Sequence, residues 1–536
     1  MTKGVRPNEF KTDKTEMMKT RFHILSYLAA MTVVCMTAAC SSEEEVEEVS
    51  PTPQPQTFTV TASQETDDSN GAPTRVGFDS NGAGFWQKGD VIGIWSKDEG
   101  KFKPFTIASG AGTGTATFSG TIVGELEENA VALYPYNKKD DIEETGENSG
   151  VATINFPDTY TYTSVDKEVS AVEGNSFNAL MLGNVSGTGT TDREISFNHL
   201  GGVLVLVFDK IPQEGTVTVT AESAICGDAQ ITDNATVTNK ELKYVSTDES
   251  SKKVTFSYKG AEKMQSGVFY LPLLEGTYNN LTVTLKGANP KWVEEVQRYD
   301  TIRYEYSTTF SPTIKRTYLK KKSITTDYTI TVYGHKFIDL GLPNGLLWAE
   351  CNIGAASDSE DGDYFTWGST EPITIAEDAT TTTCWWTNYK YGGENGTDCS
   401  KYNATDNLTT LERTDDAAYV KWGPLCRIPT NDEMAQVIKY YSDYVSVEWE
   451  YGLKITSKAN GKTMHLPNSS FITNSGVKDE CRLWTRNIVV YPETSEYASY
   501  RKSAYFGYYN VSNIKNNQIG QCERCNACPV RAVVEP

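Results

Sequence analysis

Short runs of alternating apolar and polar residues, each followed by turn-forming residues, recur along the chain from Thr57 to about residue 320. Three clear examples are Phe58–Ala62, Val91–Trp95 and Val203–Phe208. Alternation with a period of two sends every second side chain to the same face of a strand, and the Gly, Asn, Asp and Ser between the runs favour tight turns. The pattern therefore predicts two β-sandwiches in this part of the chain.

A basic flank and an apolar run near the N-terminus predict that the protein is exported. Lys19 and Arg21 precede the run from Phe22 to Cys40, which is too short and too interrupted to favour a membrane span and ends in small residues. Residues 37–40 resemble the lipobox of bacterial lipoproteins. The resemblance implies that residues 1–40 contain a lipoprotein signal, that the Cys40 thiol carries a diacylglyceryl group, and that Cys40 begins the mature protein. An uncleaved anchor and a plain signal peptide without lipid are the alternatives.

Residues 41–56 are acidic and then proline-rich, which is typical of a tether that leaves a membrane surface. An acidic run directly after an acylated cysteine also resembles the surface-export signals of Bacteroides-type lipoproteins, which implies a cell-surface protein held in the outer membrane or in a fimbrium. The formal net charge is −21, and removal of residues 1–39 brings it to −24. This balance argues against nucleic acid as a partner and favours a solvated surface.

Several motifs between residues 57 and 322 resemble those of the fimbrillin-like (Mfa-like) proteins of Bacteroidales. In chain order they are Ala72–Phe78, Lys88–Trp95, Leu180–Gly183, Ile195–Phe208 and Phe269–Pro272. The resemblance implies two transthyretin-like β-sandwich domains, at residues 57–208 and 209–322, in a pilus subunit or a pilus-associated lipoprotein.

The same resemblance implies how the protein assembles. Members of the family bind other pilus subunits by β-strand exchange, in which an added strand pairs with the free N–H and C=O groups of an open sheet edge. Arg75 occupies the position at which some relatives are trimmed by an Arg-specific protease. An arginine there also suits a polar position on a first strand, so both interpretations stay open.

The composition changes near Ser323, after which Trp, Tyr and Cys become frequent and two helices are predicted. Asp415 and Asp416 precede the first helix, where carboxylates accept hydrogen bonds from free backbone N–H groups. Thr430 and Glu433 form a capping box at the start of the second. Its buried face is predicted to contain the apolar residues Met434, Val437, Ile438 and Tyr441.

Residues 323–536 resemble the Fibrobacter succinogenes major paralogous domain. The matching motifs include Phe337–Gly345, Gly362–Gly368, Arg427–Thr430, Leu483–Thr485 and Pro529–Arg531. The resemblance implies an α+β domain of the C-type-lectin-like class, so the whole chain is predicted to be mainly β with this domain at its C-terminus. The calcium-dependent sugar site of C-type lectins is not expected, because Glu371-Pro372-Ile373 lacks its third oxygen donor.

Aromatic residues in a loop rich in Gly, Asn and Thr form the candidate ligand site, for an unidentified glycan or protein. They are Trp385, Trp386, Tyr389 and Tyr391. Aromatic faces stack on sugars and anchor protein partners. The same rings suit the core of a domain with long loops equally well.

Eleven cysteines are present, and eight of them follow residue 350. In an exported domain such a set predicts disulfides, whose pairing the sequence does not specify. Cys522, Cys525 and Cys528 are spaced like metal ligands, but the ferredoxin pattern requires a fourth cysteine before the proline. A structural zinc site that also uses another cysteine or His465 is the alternative, and no cofactor is expected.

Three functions fit these observations. The first is adhesion, by a fimbrial tip or accessory subunit that presents the C-terminal domain. The second is a surface glycan-binding or anchor lipoprotein that does not polymerise. The third is an enzyme, because formylglycine-generating enzymes share the broader lectin-like fold. We do not expect an enzyme, because the chain has no Ser-His-Asp order, metal-binding helix motif or phosphate loop.

Overall fold

The computed structural model of the protein describes residues 53–64, 77–78, 84–134, 136, 153–162, 181–232, 241–245, 248–259, 263–316, 319–374, 384–478, 480–495, 501–509 and 513–536. Strands predominate among these residues and the helices are short, so the predicted mainly β fold class is confirmed. No helix within the described ranges is long and apolar enough to cross a membrane.

The described residues in the first part of the chain are mainly in strands. They are β1 (Pro55–Gln64), β2 (Gly77–Phe78), β3 (Gly84–Phe85), β4 (Val91–Ser96), β5 (Lys101–Ser109), β6 (Thr115–Val123), β7 (Val131–Tyr134), β8 (Thr153–Phe156), β9 (Thr159–Tyr162), β10 (Met181–Thr188) and β11 (Asp192–His199). Strands β1, β11, β10, β7, β4, β5 and β6 form a closed barrel in that order. The strand β1 closes the barrel, since it pairs antiparallel with β6 and parallel with β11.

The barrel has an aromatic core around Trp86. This side chain is fully buried, and its ring meets Phe118 and Phe197 edge to face, with centroids 4.9 and 5.9 Å away. Every second residue of β1 points into this core, beginning with Phe58 and Val60. The alternation in the sequence therefore corresponds to the inside and outside of a closed sheet.

The second part of the chain contains strands that pair over long distances. They are β12 (Gly201–Ile211), β13 (Glu214–Thr220), β14 (Gly227–Thr232), β15 (Glu241–Tyr244), β16 (Lys253–Lys259), β17 (Gln265–Leu274), β18 (Gly276–Thr277), β19 (Leu281–Val293), β20 (Arg298–Phe310), β21 (Thr313–Ile314) and β22 (Leu319–Ile324). A three-stranded sheet has the order β17-β12-β22, with β22 parallel to β12. The predicted domain boundaries at 208/209 and 322/323 fall within β12 and β22.

The third part contains more strands and two short α-helices. They are β23 (Thr329–Val332), β24 (His335–Asp339), β25 (Leu347–Asn352), β26 (Tyr364–Thr366), α1 (Ala417–Trp422), β27 (Cys426–Arg427), α2 (Asn431–Ile438), β28 (Val445–Trp449), β29 (Gly452–Ser457), β30 (Thr463–Pro467), β31 (Phe471–Thr473), β32 (Gly476–Lys478), β33 (Cys481–Ile488), β34 (Ser503–Tyr509), β35 (Gln518–Glu523), β36 (Ala527–Pro529) and β37 (Arg531–Val534).

One sheet connects the second and third parts. Its order is β27-β37-β25-β24-β23-β20-β19-β13-β16-β9, so strands from both sides of residue 323 share a continuous hydrogen-bond ladder. The last strand, β37, lies between β25 and β27. A buried apolar cluster contains Val283, Phe337 and Val534 of this sheet together with Leu204 of β12.

Both predicted helix starts are confirmed. The Asp416 carboxylate accepts hydrogen bonds from the N–H groups of Ala418 and Tyr419, and Thr430 and Glu433 form the reciprocal capping box of α2.

The prediction for Tyr441 was wrong. Met434, Val437 and Ile438 are buried, but α2 ends at Ile438, where Lys439 adopts an extended conformation. Tyr441 therefore lies beyond the helix and is 79% exposed.

Candidate recognition and assembly sites

The strand β1 is the element on which a candidate assembly site depends. Its residues from Pro55 to Ser63 pair one by one with β6, and Val60–Gln64 pair with β11. The side-chain oxygens of Thr57 on β1 and Thr121 on β6 lie 3.1 Å apart on the exposed side. Without β1, both neighbouring strands would have free N–H and C=O groups beside an apolar groove. Such a groove accepts another alternating strand.

The predicted lipidation site and the predicted trimming site both flank β1. Cys40 and Arg75 lie outside the described residues, and both stay predictions. Cys40 precedes β1 and Arg75 follows it, so cleavage after Arg75 would separate β1 from the rest of the barrel.

The candidate ligand loop begins with two tryptophans in different environments. Trp385 is 51% exposed, whereas Trp386 is half-buried and packs edge to face on Tyr389, with ring centroids 5.6 Å apart. Trp386 starts a short 3₁₀ turn, and the N–H of Tyr389 donates to the carbonyl of Trp385. Trp385 is therefore the ring of this predicted set that is accessible to a ligand.

Tyr389 and Tyr391 are core residues. Both rings are buried and pack edge to face with centroids 6.0 Å apart, and the Tyr389 hydroxyl donates to the carbonyl of Trp367 at 2.7 Å. Burial raises the pKa of both hydroxyls. Tyr389 packs on Trp386, and Tyr391 packs on Tyr402. These two tyrosines therefore belong to a core beneath the loop, which was the alternative interpretation.

A buried carboxylate, Asp415, holds the candidate ligand loop in place. It accepts hydrogen bonds from Lys390 at 2.8 Å, Lys401 at 2.5 Å and the Tyr402 hydroxyl at 2.6 Å. Burial opposes ionisation of this carboxyl, but the hydrogen bonds from both lysines outweigh burial and hold its pKa far below the usual range. The sequence indicated only a helix start here, since no local spacing connects residue 415 with residues 390 and 401.

Arg524 is a second buried charge that sequence reasoning missed. Its side chain is fully buried, and its guanidinium carbon lies 5.4 Å from the Tyr389 ring centroid and 5.7 Å from that of Trp367. It donates to the backbone carbonyl of Lys401 at 3.1 Å. Arg524 thus joins the C-terminal segment to the candidate ligand loop.

The three clustered cysteines are close together and largely inaccessible. Cys525 and Cys528 are buried and Cys522 is partly buried, and burial raises the pKa of Cys525 and of Cys528. No disulfide joins any cysteines in the described segments, so the predicted disulfides stay a prediction. Nor does any group of three His, Cys, Asp or Glu in those segments have the geometry to hold a metal ion. The zinc alternative with His465 therefore finds no ligand set there.

Comparisons with known proteins give structural similarities only. No protein-family model matches the chain, and no curated protein matches it in sequence. A protein from Bacteroides ovatus, provisionally assigned to cell adhesion, is 13% identical over 52% of this chain and 95% of its own, with a TM-score of 0.30. A fimbrial protein from the same species is 10% identical over 89% of this chain and 98% of its own, with a TM-score of 0.21.

The fimbrial anchor protein Mfa2 from Porphyromonas gingivalis is also similar in structure. It is 7% identical over 48% of this chain and 100% of its own, with a TM-score of 0.19. At such identities and TM-scores, these similarities assign neither a function nor a site to this chain.

Proposed function

We propose that the protein is a cell-surface adhesion protein of the fimbrial class, a tip or accessory subunit that presents a C-terminal recognition domain. The fimbrillin-like motifs and the mainly β fold support this proposal. The similar solved structures carry descriptions of the same class, but the proposal does not rest on them. It describes a binding protein and not an enzyme.

The single observation that carries the assembly part of the proposal is the position of β1. This N-terminal strand fills a slot between β6 and β11 and supplies Phe58, Val60 and Ala62 to the barrel core. A strand of the same alternation from another subunit would satisfy the same backbone groups and fill the same core positions. Removal of β1 after Arg75 would thus convert a closed barrel into an acceptor.

The anchoring part of the proposal concerns the residues before β1. A lipid on the Cys40 thiol would hold the protein in the outer membrane, and the acidic and proline-rich residues before β1 would carry the barrel away from it. Cleavage of the peptide bond after Arg75 would then have two effects. It would release the chain from the lipid, and it would open the barrel.

The recognition role in the proposal belongs to the C-terminal part of the chain. Trp385 is half-exposed, and its loop is held from beneath by Asp415 and Arg524, so the ring is presented on a supported surface. A rigid, half-exposed indole suits a glycan or a protein partner, because little conformational entropy is lost when it is covered.

One observation favours a second candidate function. In the structure β1 occupies its own barrel, so the barrel is closed without a second subunit. A protein that keeps β1 in this way would be a surface glycan-binding or anchor lipoprotein that does not polymerise.

The two candidates differ in the N-terminus of the native protein. We expect protein in high-mass polymers from native cells to begin after residue 75, and Arg75→Lys to keep the chain out of those polymers. Arg298→Lys, a matched change at an exposed arginine, should have no effect. Intact-mass analysis and electrophoresis without heating measure both quantities.

Each alternative outcome of that experiment is distinct. A lipidated N-terminus at Cys40 in all of the protein, with none in polymers, would support the non-polymerising candidate. A chain without lipid in the cytosol would reject both.

A further inference from the structure

We propose that the tip of the β19–β20 hairpin and the adjoining cavity form a binding site for a neutral sugar. The site uses residues other than those of the Trp385 loop, so it goes beyond the proposed function. It would be present in an anchored chain and in a polymerised chain alike.

Two aromatic rings mark the hairpin tip. Trp292 on β19 and Tyr299 on β20 are cross-strand partners, and they are 44% and 67% exposed. Their rings meet edge to face with centroids 5.1 Å apart. Rings of this size normally bury their apolar faces, and a cross-strand pair left in solvent is a candidate contact surface.

The Trp292 ring has a fixed orientation. Its indole Nε1–H donates to the Glu294 carboxylate at 2.6 Å, and the other oxygen of that carboxylate accepts from the Gln297 side chain at 2.8 Å. Gln297 itself has a φ of 50°, which turns the chain sharply between the two strands. The indole is therefore held in place before any ligand binds, which lowers the entropic cost of binding.

A cavity of about 210 Å³ adjoins this ring. It lies where the hairpin meets the segment before β27 and the C-terminal end of the chain, and its lining consists of Lys291, Trp292, Val293, Glu294, Glu295, Arg413, Pro424, Leu425, Arg427 and Glu535. Pockets for drug-sized ligands measure roughly 300–1,000 Å³. A smaller cavity beside an indole has the size for a single ring of a ligand.

The charges around the cavity favour a neutral ligand. Three basic and three acidic side chains line it, and they are matched locally: Glu295 pairs with Arg413 at 2.7 Å and Arg427 with Glu535 at 2.9 Å. Lys291 donates to the backbone carbonyl of Glu535 at 2.8 Å. The lining therefore carries no net formal charge for an ionic ligand to neutralise, and its carboxylates and guanidinium groups offer acceptors and donors to hydroxyls.

A sugar combines the two properties that this site requires. The C–H face of a pyranose is apolar and stacks on an aromatic ring, and its hydroxyls both donate and accept hydrogen bonds. A protein partner fits less well, because a stable interface covers about 800 Å² on each side, and a buried aromatic side chain contributes only about 150–250 Å².

Saturation-transfer NMR on the full chain in detergent tests the proposal. The probes are methyl glycosides of glucose, galactose, mannose, fucose and N-acetylglucosamine, with glucuronic acid and N-acetylneuraminic acid as anionic probes. At least one neutral glycoside should receive saturation at its ring protons. Trp292→Ala should weaken its binding by about ten-fold or more, and Tyr299→Ala should weaken it less.

Three further variants make the result specific. Trp292→Phe keeps a ring and should retain measurable binding, which guards against a folding defect in the alanine variant. Tyr451→Ala removes a tyrosine that is 97% exposed outside this site and should bind as the wild type does. Trp385→Ala probes the other candidate surface and should also leave this binding unchanged.

Several outcomes would overturn the proposal. They are the absence of any signal with the neutral glycosides, binding of the anionic probes alone, and binding that survives Trp292→Ala. Binding lost in Trp385→Ala but kept in Trp292→Ala would reject this site and support recognition by the Trp385 loop. A protein ligand that depends on Trp292 when no neutral glycoside binds would also contradict a sugar site.

Discussion

At the scale of single residues, the proposed recognition surface depends on a buried carboxylate beneath its loop. The Asp415 side chain is 4% exposed and receives hydrogen bonds from two lysines, which connect the loop of Trp385 to the start of α1. The sequence does not distinguish a tyrosine that binds a ligand in such a loop from one that lies in the core beneath it. Tyr389 and Tyr391 proved to be core because these distant charges hold the loop inward, and neither their spacing nor their type could predict that.

Replacement of Asp415 by Asn should destabilise the C-terminal part of the chain. The amide can still accept a hydrogen bond but carries no charge to pair with the ammonium groups of Lys390 and Lys401, so we expect the free energy of unfolding to fall by about 2 kcal/mol. Chemical denaturation followed by tryptophan fluorescence measures it. Glu412→Gln is the matched control, because Glu412 is half-exposed and pairs with Lys401 alone, and the change should stay below about 1 kcal/mol.

The stability of this region should also depend on pH through Asp415. Burial opposes ionisation, but hydrogen bonds from the lysines hold the pKa of the folded carboxyl below that of a free aspartate, which is about 3.9. Because the folded pKa is the lower one, the stabilisation is complete above about pH 5 and is lost as the pH falls toward the folded pKa. As the pH is lowered below about 5, the midpoint temperature of thermal unfolding should therefore fall more steeply for the wild type than for Asp415→Asn. Parallel curves would contradict this role.

At the scale of elements, local signals predicted well and long-range pairing did not. The alternation in β1 and the capping residues of α2 act within a few positions, so both could be read from the sequence. The pairing of β22 with β12, or of β37 with β25 and β27, joins segments more than 100 residues apart. Such contacts depend on the register and on the shared core, so neither the boundary at 208/209 that the resemblance implied nor the change in composition at 322/323 coincides with the end of a strand.

The end of α2 provides a test at this scale. Ile438 is the last buried residue of the helix, and truncation to Ala should cost about 2–5 kcal/mol because it leaves a cavity. Tyr441, which the helical spacing placed on the same face, is exposed, so Tyr441→Ala should change stability by less than about 0.5 kcal/mol. Denaturation midpoints of the two variants compare the effects. Equal losses would mean that the helix continues to Tyr441.

At the scale of the whole molecule, the barrel and the ten-stranded sheet differ in how their strands are paired. The ten-stranded sheet runs without a break from β9, in the first part of the chain, through strands of the second part into the third. In the barrel, by contrast, one N-terminal strand completes the hydrogen bonding of two others. Exchange of that strand would leave the ladders of the other described sheets intact.

The most direct test of this exchange is to lock β1 in its own barrel. Thr57 and Thr121 are register partners whose side-chain oxygens lie 3.1 Å apart, so cysteines at both positions should form a disulfide across β1 and β6. The quantity to measure is the fraction of Thr57→Cys/Thr121→Cys protein found in high-mass polymers on cells, with and without reductant, against the Thr57→Cys single variant. Strand exchange predicts that the oxidised double variant is missing from polymers and returns when it is reduced. Normal polymerisation of the locked protein would contradict it.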